Sequence, residues 1–252
     1  MPHYVIGDIH GHLDQLIELL SRARLIDEWQ RWIGGASHLW FIGDFFDRGP
    51  NGIGVVDLIM RLQIQASDAG GEIRALLGNH EVLFLGAHRF QHIPRFVLTW
   101  QRNGGQDVDM AHITSRHLAW MRRLPAMAHV HNRLLMHADA MFYLDYGSSI
   151  ADVNEAIAEL LRGDDVEAWK QLLDDFAERM AFSVQNPSAM SNVIEFLTTF
   201  GGRQIVHGHT PIQYVADSVS PQAPLLYADD LCINVDGGIY LGAPGFVCLL
   251  PE

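Results

Sequence analysis

The stretch that decides the fold is Tyr4-Val5-Ile6-Gly7-Asp8-Ile9-His10-Gly11, an apolar run that ends in an acid and an imidazole between two glycines. Asp8 and His10 are two residues apart, so in extended geometry both side chains point to the same side of the chain. The glycines let a bound group approach the backbone where a Cβ atom would clash. This pattern predicts a strand that ends in a binding loop.

The same arrangement recurs along the chain. Five apolar runs of strand type each end in a cluster that contains Asp, Asn or His: residues 4–7, 39–43, 73–78, 134–136 and 204–206. Segments with the helical spacing of Leu and Ile separate the first three runs, so strands and helices alternate as in βαβ units. The sequence therefore predicts an α/β fold, with a ligand site beyond the carboxyl ends of the strands.

The C-terminal part reads differently. Residues 232–235 and 245–250 have the pattern of short strands, and Asp236-Gly237-Gly238 between them is a hairpin-like turn signal. We therefore expect a mixed sheet there. With 252 residues, 48% of them apolar, the chain is predicted to form a single domain over residues 1–252, with insertions near 82–125 and 143–202.

Composition excludes several classes of partner. Seventeen Lys and Arg against thirty Asp and Glu give a formal charge of -13, which repels a phosphate backbone and argues against nucleic-acid binding. No apolar run is long enough to cross a bilayer, so no membrane association is expected. Two cysteines are too few for a disulfide framework, and the first residues run straight into a strand without a basic, apolar leader. These features predict a cytoplasmic protein.

The two insertions carry opposite charge. Residues 82–106 contain three arginines and no acid, so this segment could face an anion. Its aromatic side chains either line an exposed groove for a phosphopeptide or belong to a helix core; they are Phe84, Phe90, Phe96 and Trp100. Residues 151–180 contain nine acids against three bases at helical spacing, a pattern typical of a solvated helix face.

Taken together, the polar clusters match a known set of motifs: Gly-Asp-x-His-Gly at 7–11, Gly-Asp-x-x-Asp-Arg-Gly at 43–49, Gly-Asn-His-Glu at 78–81, and two later histidines. The chain resembles the phosphoprotein phosphatase family of binuclear metallophosphoesterases. Trp100 with Asn103-Gly104-Gly105, and Leu124-Pro125, are similar to bacterial members. The resemblance extends from residue 4 to about residue 240, and it implies a sandwich of two mixed β-sheets flanked by helices, with the metal site at the strand C-terminal ends.

The resemblance implies six ligands for two divalent metal ions. Asp8 and His10 would hold the first ion, Asp44 would bridge both ions, and Asn79, His137 and His209 would hold the second. His209 is favoured over its neighbour His207 because the family's ligand is the histidine that follows glycine. Oxygen and nitrogen donors without thiolate suit Mn, Fe, Zn, Co or Ni, and we expect Mn.

The resemblance also assigns the reaction. His80 would protonate the leaving oxygen, Asp47 would orient its ring, and Arg48, Asn79 and His80 would contact the substrate phosphate. The family usually adds a second arginine from the region between its two late histidines. That region contains three arginines without a recognisable motif around any of them: Arg162, Arg179 and Arg203.

These features predict a metal-dependent phosphomonoesterase, a serine/threonine protein phosphatase that acts by attack of a metal-bridging hydroxide on a phosphorylated protein or a small phosphoester. A diadenosine tetraphosphate hydrolase shares all the matched motifs and stays open as the alternative. A phosphodiesterase is disfavoured because Pro211 stands where such enzymes carry a further metal-binding histidine. An inactive binding module is disfavoured because the residues assigned to catalysis are all present.

Overall fold

Nine short strands form two mixed sheets in the computed structural model, which describes residues 1–216 and 222–251. The strands are β1 (His3–Ile6), β2 (His38–Phe41), β3 (Glu72–Ala75), β4 (Met127–Val130), β5 (Arg133–Met136), β6 (Gln204–His207), β7 (Leu225–Tyr227), β8 (Cys232–Asn234) and β9 (Cys248–Leu250). The first sheet has the order β3-β2-β1-β9 and the second has the order β4-β5-β6-β8-β7.

Helices cover the outer faces of the sheets. They are α1 (Leu13–Arg22), α2 (Gly52–Asp68), α3 (Asn79–Arg89), α4 (Pro94–Arg102), α5 (Asp107–His112), α6 (Ser115–Met121), α7 (Tyr143–Tyr146), α8 (Ile150–Arg162), α9 (Val166–Asp175), α10 (Ala189–Phe200) and α11 (Ile212–Val215), with a 3-10 turn at Ile239–Leu241. The insertion near 82–125 thus holds most of α3 and all of α4 to α6, and the insertion near 143–202 holds α7 to α10.

Parallel pairing dominates the middle of both sheets. In the first sheet β1, β2 and β3 are parallel and in register, with His3 opposite His38 and His38 opposite Glu72, and β9 is antiparallel to β1. In the second sheet β5, β6 and β8 are parallel, with antiparallel β4 and β7 at the edges. Parallel neighbours end at the same edge of a sheet, so the loops after these six strands lie together.

Apolar side chains fill two layers. One layer lies between the sheets and includes Val5 and Trp40 from the first sheet and Leu135, Val206 and Ile233 from the second. A larger layer joins the sheets to the helices. The predicted α/β sandwich of two mixed sheets is confirmed.

The aromatic residues of the first insertion belong to this helical core. Phe84, Phe96 and Trp100 are at most 2% exposed and Phe90 is 4% exposed. The Phe90 and Phe96 rings stack with their centroids 4.6 Å apart, and the Phe84 ring meets the Trp100 ring edge-on. The interpretation of these side chains as an exposed peptide groove is therefore wrong.

The hairpin predicted around Asp236-Gly237-Gly238 is also wrong. Strands β8 and β9 lie in different sheets, because β8 is already paired on both sides, by β6 and by β7, whereas β9 adds to the free side of β1. Gly238 has a left-handed φ of 69° and starts the 3-10 turn that carries the chain from one sheet to the other. The edge strands β4 and β7 did not stand out in the sequence.

The oppositely charged insertions bind each other. Arg89 at the end of α3 pairs with Asp164 and also donates to the carbonyl oxygen of Gly163, while Arg95 on α4 lies 3.2 Å from Asp174 on α9. These arginines therefore face the acidic segment of the same chain and not an external anion. Among the described residues, no helix combines the length and the apolar character needed to cross a bilayer.

Candidate active site

All nine residues predicted for the site come together where the two sheets meet. They are Asp8 and His10 after β1, Asp44, Asp47 and Arg48 after β2, Asn79 and His80 after β3, His137 after β5, and His209 after β6. Every one of them is buried except Arg48, which is half-buried. The carboxyl ends of strands from both sheets thus contribute to one cluster.

Five of these residues adopt an unusual backbone conformation. His10, Asp44, Asp47, Arg48 and His209 have φ angles between 48° and 68°, the left-handed region that side chains with a Cβ atom rarely enter. Each such residue costs of order 1–3 kcal/mol and persists only where its surroundings over-determine it. Backbone strain of this kind clusters at functional sites, and here it turns the side chains into the common cleft.

The carboxylate of Asp44 stands between two groups of potential ligands. Its Oδ2 lies 3.5 Å from His10 Nε2, and its Oδ1 lies 3.3 Å from His137 Nε2. The side chains form two groups that could each hold a metal ion, one with His10, Asp44 and His80 and one with Asp44, His137 and His209. Because the two oxygens of one carboxylate face different groups, Asp44 is placed to bridge two ions.

The second group has the spacing of metal ligands. Asn79 Oδ1 lies 2.9 Å from both His137 Nε2 and His209 Nδ1, and those two nitrogens are 3.2 Å apart. Adjacent ligands around an ion with bonds of about 2.1 Å lie about 3 Å apart. With the amide oxygen of Asn79 in this orientation, the lone pairs of all three atoms point to one place, where a cation could accept them. Turning the amide of Asn79 would instead let its NH₂ group donate to both rings.

Hydrogen bonds set the tautomers of two histidines. His10 Nδ1 donates to the carbonyl oxygen of Phe46 at 3.1 Å, and His137 Nδ1 donates to that of Ile42 at 2.9 Å. A carbonyl oxygen only accepts, so each Nε2 carries a lone pair directed into the site, the state that binds metal. Burial lowers the pKa of His10 and lowers that of His137 to about 3, which keeps both rings neutral.

Around the first group, Asp8 Oδ2 lies 3.9 Å from His10 Nε2, and both oxygens of Asp8 accept from the backbone N–H of His209 at 3.1 Å. Arg48 Nη1 donates to His10 Nε2 at 2.9 Å. Among the described residues, the buried atoms His80 Nε2 and His209 Nε2 have no hydrogen-bond partner. The oxygen and nitrogen donors and their convergence fit a pair of divalent cations.

His80, a member of the first group, is also paired with Asp47. His80 Nδ1 donates to Asp47 Oδ2 at 2.7 Å, which fixes the ring and leaves Nε2 directed towards Asp44, 3.9 Å from its Oδ2. Arg48 follows Asp47, and its guanidinium carbon lies 4.0 Å from the centre of the Tyr240 ring. The imidazole of His80, which can give or take a proton, therefore faces the same space as the planar guanidinium of Arg48.

Glu81 holds the loops that carry these residues. Its Oε2 accepts from the backbone N–H groups of Asp44 at 2.8 Å and Gly78 at 3.0 Å, and its Oε1 accepts from that of Phe45 at 2.8 Å. Burial raises the pKa of Glu81 to about 7, although the hydrogen bonds from these backbone N–H groups favour the ionised form and lower the pKa. The last residue of the Gly-Asn-His-Glu motif thus ties the β2 loop to the start of α3.

With the geometry in place, the comparison with known proteins decides the family. The family model of the calcineurin-like phosphoesterases matches residues 1–213. The chain belongs to the calcineurin-like phosphoesterase family. The resemblance to binuclear metallophosphoesterases found in the motifs is therefore confirmed.

Two kinds of curated relative are similar to the chain. Shewanella-like protein phosphatase 2 of Arabidopsis thaliana is 38% identical over 78 residues, which are 31% of this chain and 20% of that protein. The symmetrical bis(5'-nucleosyl)-tetraphosphatase of Neisseria meningitidis is 26% identical over 196 residues, 73% of this chain and 63% of that protein. The chain spans less than two thirds of the length of both relatives.

Among solved structures, the cold-active protein-tyrosine phosphatase of a psychrophilic Shewanella species is similar over the whole chain. Its TM-score is 0.76 at 22% sequence identity, and the match covers 100% of this chain and 75% of that one. At this level of identity the likeness shows the shared fold.

Asp236 is a buried member of the phosphoesterase site that the sequence did not reveal, because its position read as a turn. It follows β8, accepts from the backbone N–H of Gly238 with Oδ1, and has no partner for Oδ2 among the described residues. Burial first, and then the charge of Asp236, raises the pKa of Asp8. Burial raises the pKa of Asp236 itself to about 6. The site thus concentrates negative charge that bound cations would offset.

One of the three arginines left unplaced by the sequence lies close enough for its charge to act on the histidines of the site. After burial, the charges of Arg48 and Arg179 are among the causes that lower the pKa values of His80, His137 and His209. The side chain of Arg179 is exposed, and the next residue, Met180, donates its backbone N–H to buried Asp139. The other two lie elsewhere: Arg162 pairs with Glu155, and the backbone of Arg203 binds that of Asn132. Arg179 lies after α9 and before Met180, and no motif around it marks it as a site residue in the sequence.

The structure also gives His207 and His209 different partners. His207 Nε2 lies 2.6 Å from the hydroxyl of Tyr227, and its Nδ1 lies 2.9 Å from the carbonyl oxygen of Gly208. Both ring nitrogens of His207 are therefore engaged away from the cluster, whereas His209 Nδ1 faces Asn79.

Proposed function

We propose that this phosphoesterase is a metal-dependent phosphomonoesterase acting on phosphorylated protein, a serine/threonine protein phosphatase. The observation that carries the proposal is the pair of side-chain groups that share Asp44, the first of which contains His80 with its Nε2 free of hydrogen bonds. Asp8 and His10 would hold the first cation, Asp44 would bridge, and Asn79, His137 and His209 would hold the second. The donors suit Mn, Fe, Zn, Co or Ni, of which we propose Mn.

Two divalent cations, if bound there, would supply an activated water nucleophile and polarise the phosphoryl oxygens. The chain's own residues perform the rest. Arg48 and Arg179 hold the phosphate, and its oxygens occupy the space in front of His80. As the oxygen of water bonds to phosphorus, the bond to the ester oxygen breaks, and His80 Nε2 gives its proton to that leaving oxygen.

The proton on His80 arrives with the substrate. In the free site, burial and then the charge of Arg48 lower the pKa of His80, so the neutral ring is favoured. A phosphate dianion beside Nε2 and the carboxylate of Asp47 at Nδ1 both favour the imidazolium form. Binding of the anion thus prepares the acid that the next step consumes.

The supply of positive charge favours a single phosphoryl group over a polyphosphate. The charges of Arg48 and Arg179 act on the site. By contrast, Arg89, Arg95 and the chain's one lysine, Lys170, pair with acids of the second insertion. A cavity of about 550 Å³ opens beside the loops of His10 and Arg48, and no cation lines it within the described part of the chain. Its lining residues are His12, Leu13, Asp14, Gln15, Pro50, Asn51 and Val108.

A diadenosine tetraphosphate hydrolase is the second candidate. The relative from Neisseria meningitidis, which carries that activity in its name, covers 73% of this chain. Tyr240, stacked on Arg48, and Tyr214, which is 51% exposed, offer aromatic faces near the phosphate position on which a base could stack.

Initial rates with Mn²⁺ test the proposal. We would compare a phosphoserine peptide, a phosphotyrosine peptide, p-nitrophenyl phosphate, bis(p-nitrophenyl) phosphate and diadenosine tetraphosphate, with Fe²⁺, Zn²⁺, Co²⁺ and Ni²⁺ as alternative metals. The proposal expects the monoesters to react faster than the diester and the phosphoserine peptide to have the highest kcat/KM. A strong preference for the dinucleotide would move the assignment to the second candidate. No metal-stimulated hydrolysis of any of the five would overturn both.

A further inference from the structure

A buried tryptophan holds the partner of the proposed acid. Trp100 Nε1 donates to Asp47 Oδ1 at 2.8 Å, and Asp47 Oδ2 accepts from His80 Nδ1 at 2.7 Å. Trp100 is 2% exposed, and Asp47 and His80 are fully buried. Each oxygen of the Asp47 carboxylate therefore has one directional partner, and the carboxylate cannot rotate towards His80 or away from it without losing one of them.

The indole of Trp100 is itself fixed by packing. A Cβ atom on Gly105 would lie 2.3 Å from the indole atom Cε2, so this glycine leaves the space that the ring fills. The backbone N–H of Gly105 donates to the carbonyl oxygen of Trp100, and the Phe84 ring meets the indole edge-on with centroids 5.8 Å apart. The position of Nε1 is thus set by the fold and not by Asp47 alone.

The segment after α4 also holds Arg48, the residue that follows Asp47. The carbonyl oxygen of Gly104 accepts from the backbone N–H of Arg48 at 2.8 Å. Asp47 and Arg48 have φ angles of 68° and 65°, so both are in the strained left-handed region and need external support. The end of α4 and the two glycines after it support this pair from one side.

We propose that Trp100 is a positioning residue for proton transfer, which holds the Asp47 carboxylate in place so that His80 presents Nε2 to the leaving oxygen. This inference rests on the proposed phosphomonoesterase function. An indole N–H donated to a carboxylate stabilises the charged form of that carboxylate, and a carboxylate at Nδ1 stabilises the imidazolium. Burial raises the pKa of Asp47, and the hydrogen bond from Trp100 is the largest influence that lowers it.

Leaving groups of different quality test the proposal. Trp100→Phe keeps the ring in the core but removes the N–H donor. We expect it to lower kcat for phenyl phosphate, whose leaving group needs a proton, by about 10-fold to 100-fold. For p-nitrophenyl phosphate, whose leaving group departs without help, we expect a loss of about threefold or less. KM and metal content should not change for either substrate.

Trp169→Phe is the matched control. Trp169 is also fully buried and donates its Nε1–H, at 3.0 Å, to the carbonyl oxygen of Gly163, away from the site. Its loss removes an equivalent hydrogen bond, so both substrates should react as with the unaltered protein. Gly105→Ala is a second route to the same effect, because its methyl group displaces the indole. It should reproduce the leaving-group dependence of Trp100→Phe.

A spectroscopic measurement tests the contact without turnover. The indole N–H resonance of Trp100, identified by its absence in Trp100→Phe, should move upfield in Asp47→Asn because an amide oxygen is a weaker acceptor than a carboxylate. An unmoved resonance overturns the proposal, as does an equal loss of rate on both phenyl esters or no loss on either. Absence of hydrolysis by the unaltered protein would overturn the proposed function instead, and the resonance would still test the contact.

Discussion

At the scale of single residues, the group proposed to transfer a proton and a group proposed to bind metal are neighbours in sequence but face different partners. Asn79 and His80 are adjacent in the first turn of α3, yet Asn79 faces His137 and His209 while His80 faces Asp47. Helical geometry turns successive side chains by about 100°, so two adjacent residues reach different parts of one cleft.

This separation predicts the effect of His80→Asn. We expect kcat to fall by about 10²-fold to 10⁴-fold, the usual contribution of general acid catalysis, because the amide cannot protonate the leaving oxygen. Elemental analysis should find the same metal content as in the unaltered protein. Loss of one metal ion per chain in this variant would show that His80 is a ligand, as its place beside His10 and Asp44 also allows.

Arg179 gives a second prediction at this scale. Its side chain is exposed and its charge acts on the histidines of the site. We expect Arg179→Ala to weaken inhibition by inorganic phosphate about tenfold, the loss of one charge-assisted hydrogen bond, with metal content unchanged. Arg203→Ala removes an exposed arginine placed elsewhere and serves as the control. Equal inhibition constants in the two variants would contradict the assignment.

At the scale of elements, strand ends and the turns after them set the distances between ligands. The turn after β6 brings Gly208 against Asp8, and a Cβ atom on Gly208 would lie 2.3 Å from Asp8 Oδ1. The backbone of His209 in the same turn donates to both oxygens of Asp8. This turn of the second sheet thus positions a ligand of the first sheet.

Gly208→Ala should therefore displace Asp8. We expect a lower affinity for the first metal ion, measured by titration calorimetry with Mn²⁺, and a corresponding loss of activity. Gly163→Ala is the control, because a Cβ atom there meets its nearest neighbour at 3.5 Å with an ordinary backbone φ of −73°. A metal affinity in Gly208→Ala equal to that of the control would refute the role given to this turn.

At the scale of the whole molecule, the site joins the two sheets. Asp8 and Asp44 come from the first sheet, and His137, His209 and Asp236 come from the second. Burial, and then repulsion from Asp236 for Asp8 and from Glu81 for Asp44, raises the pKa values of both carboxyl groups, so the cation-free site is electrostatically unfavourable. Cations that bind between the sheets should relieve this repulsion and stabilise the fold.

Metal removal tests this expectation. Chelation should lower the melting temperature, and Mn²⁺ at a hundred times its Kd should restore about 2.7 kcal/mol of stability, as for any ligand that binds only the folded state. His137→Ala removes a ligand of the second group, so its response to Mn²⁺ should be smaller. A melting temperature that does not depend on chelator or Mn²⁺ would show that the side chains do not bind cations in the folded protein.

Local sequence predicted the central strands and the site loops, because each combines a short, continuous apolar run with a polar cluster of a few residues. It did not predict β4 and β7, which are three or four residues long at the sheet edges, or the separation of β8 from β9. Edge strands have weak patterns, and which strand pairs with which depends on contacts between distant segments.

The sequence by itself determined the motifs, the α/β class and the nine residues proposed for the site, since each depends on residue type and short spacing. Only the tertiary structure showed that the charges of Asp236 and Arg179 act on them, that the basic insertion faces the acidic one, and that Trp100 reaches Asp47. The hydrogen bond of Trp100 with Asp47 and the ion pair of Arg89 with Asp164 link residues 53 and 75 positions apart, and no local pattern specifies them. Their partners are chosen by the packing of the two sheets and the helices around them.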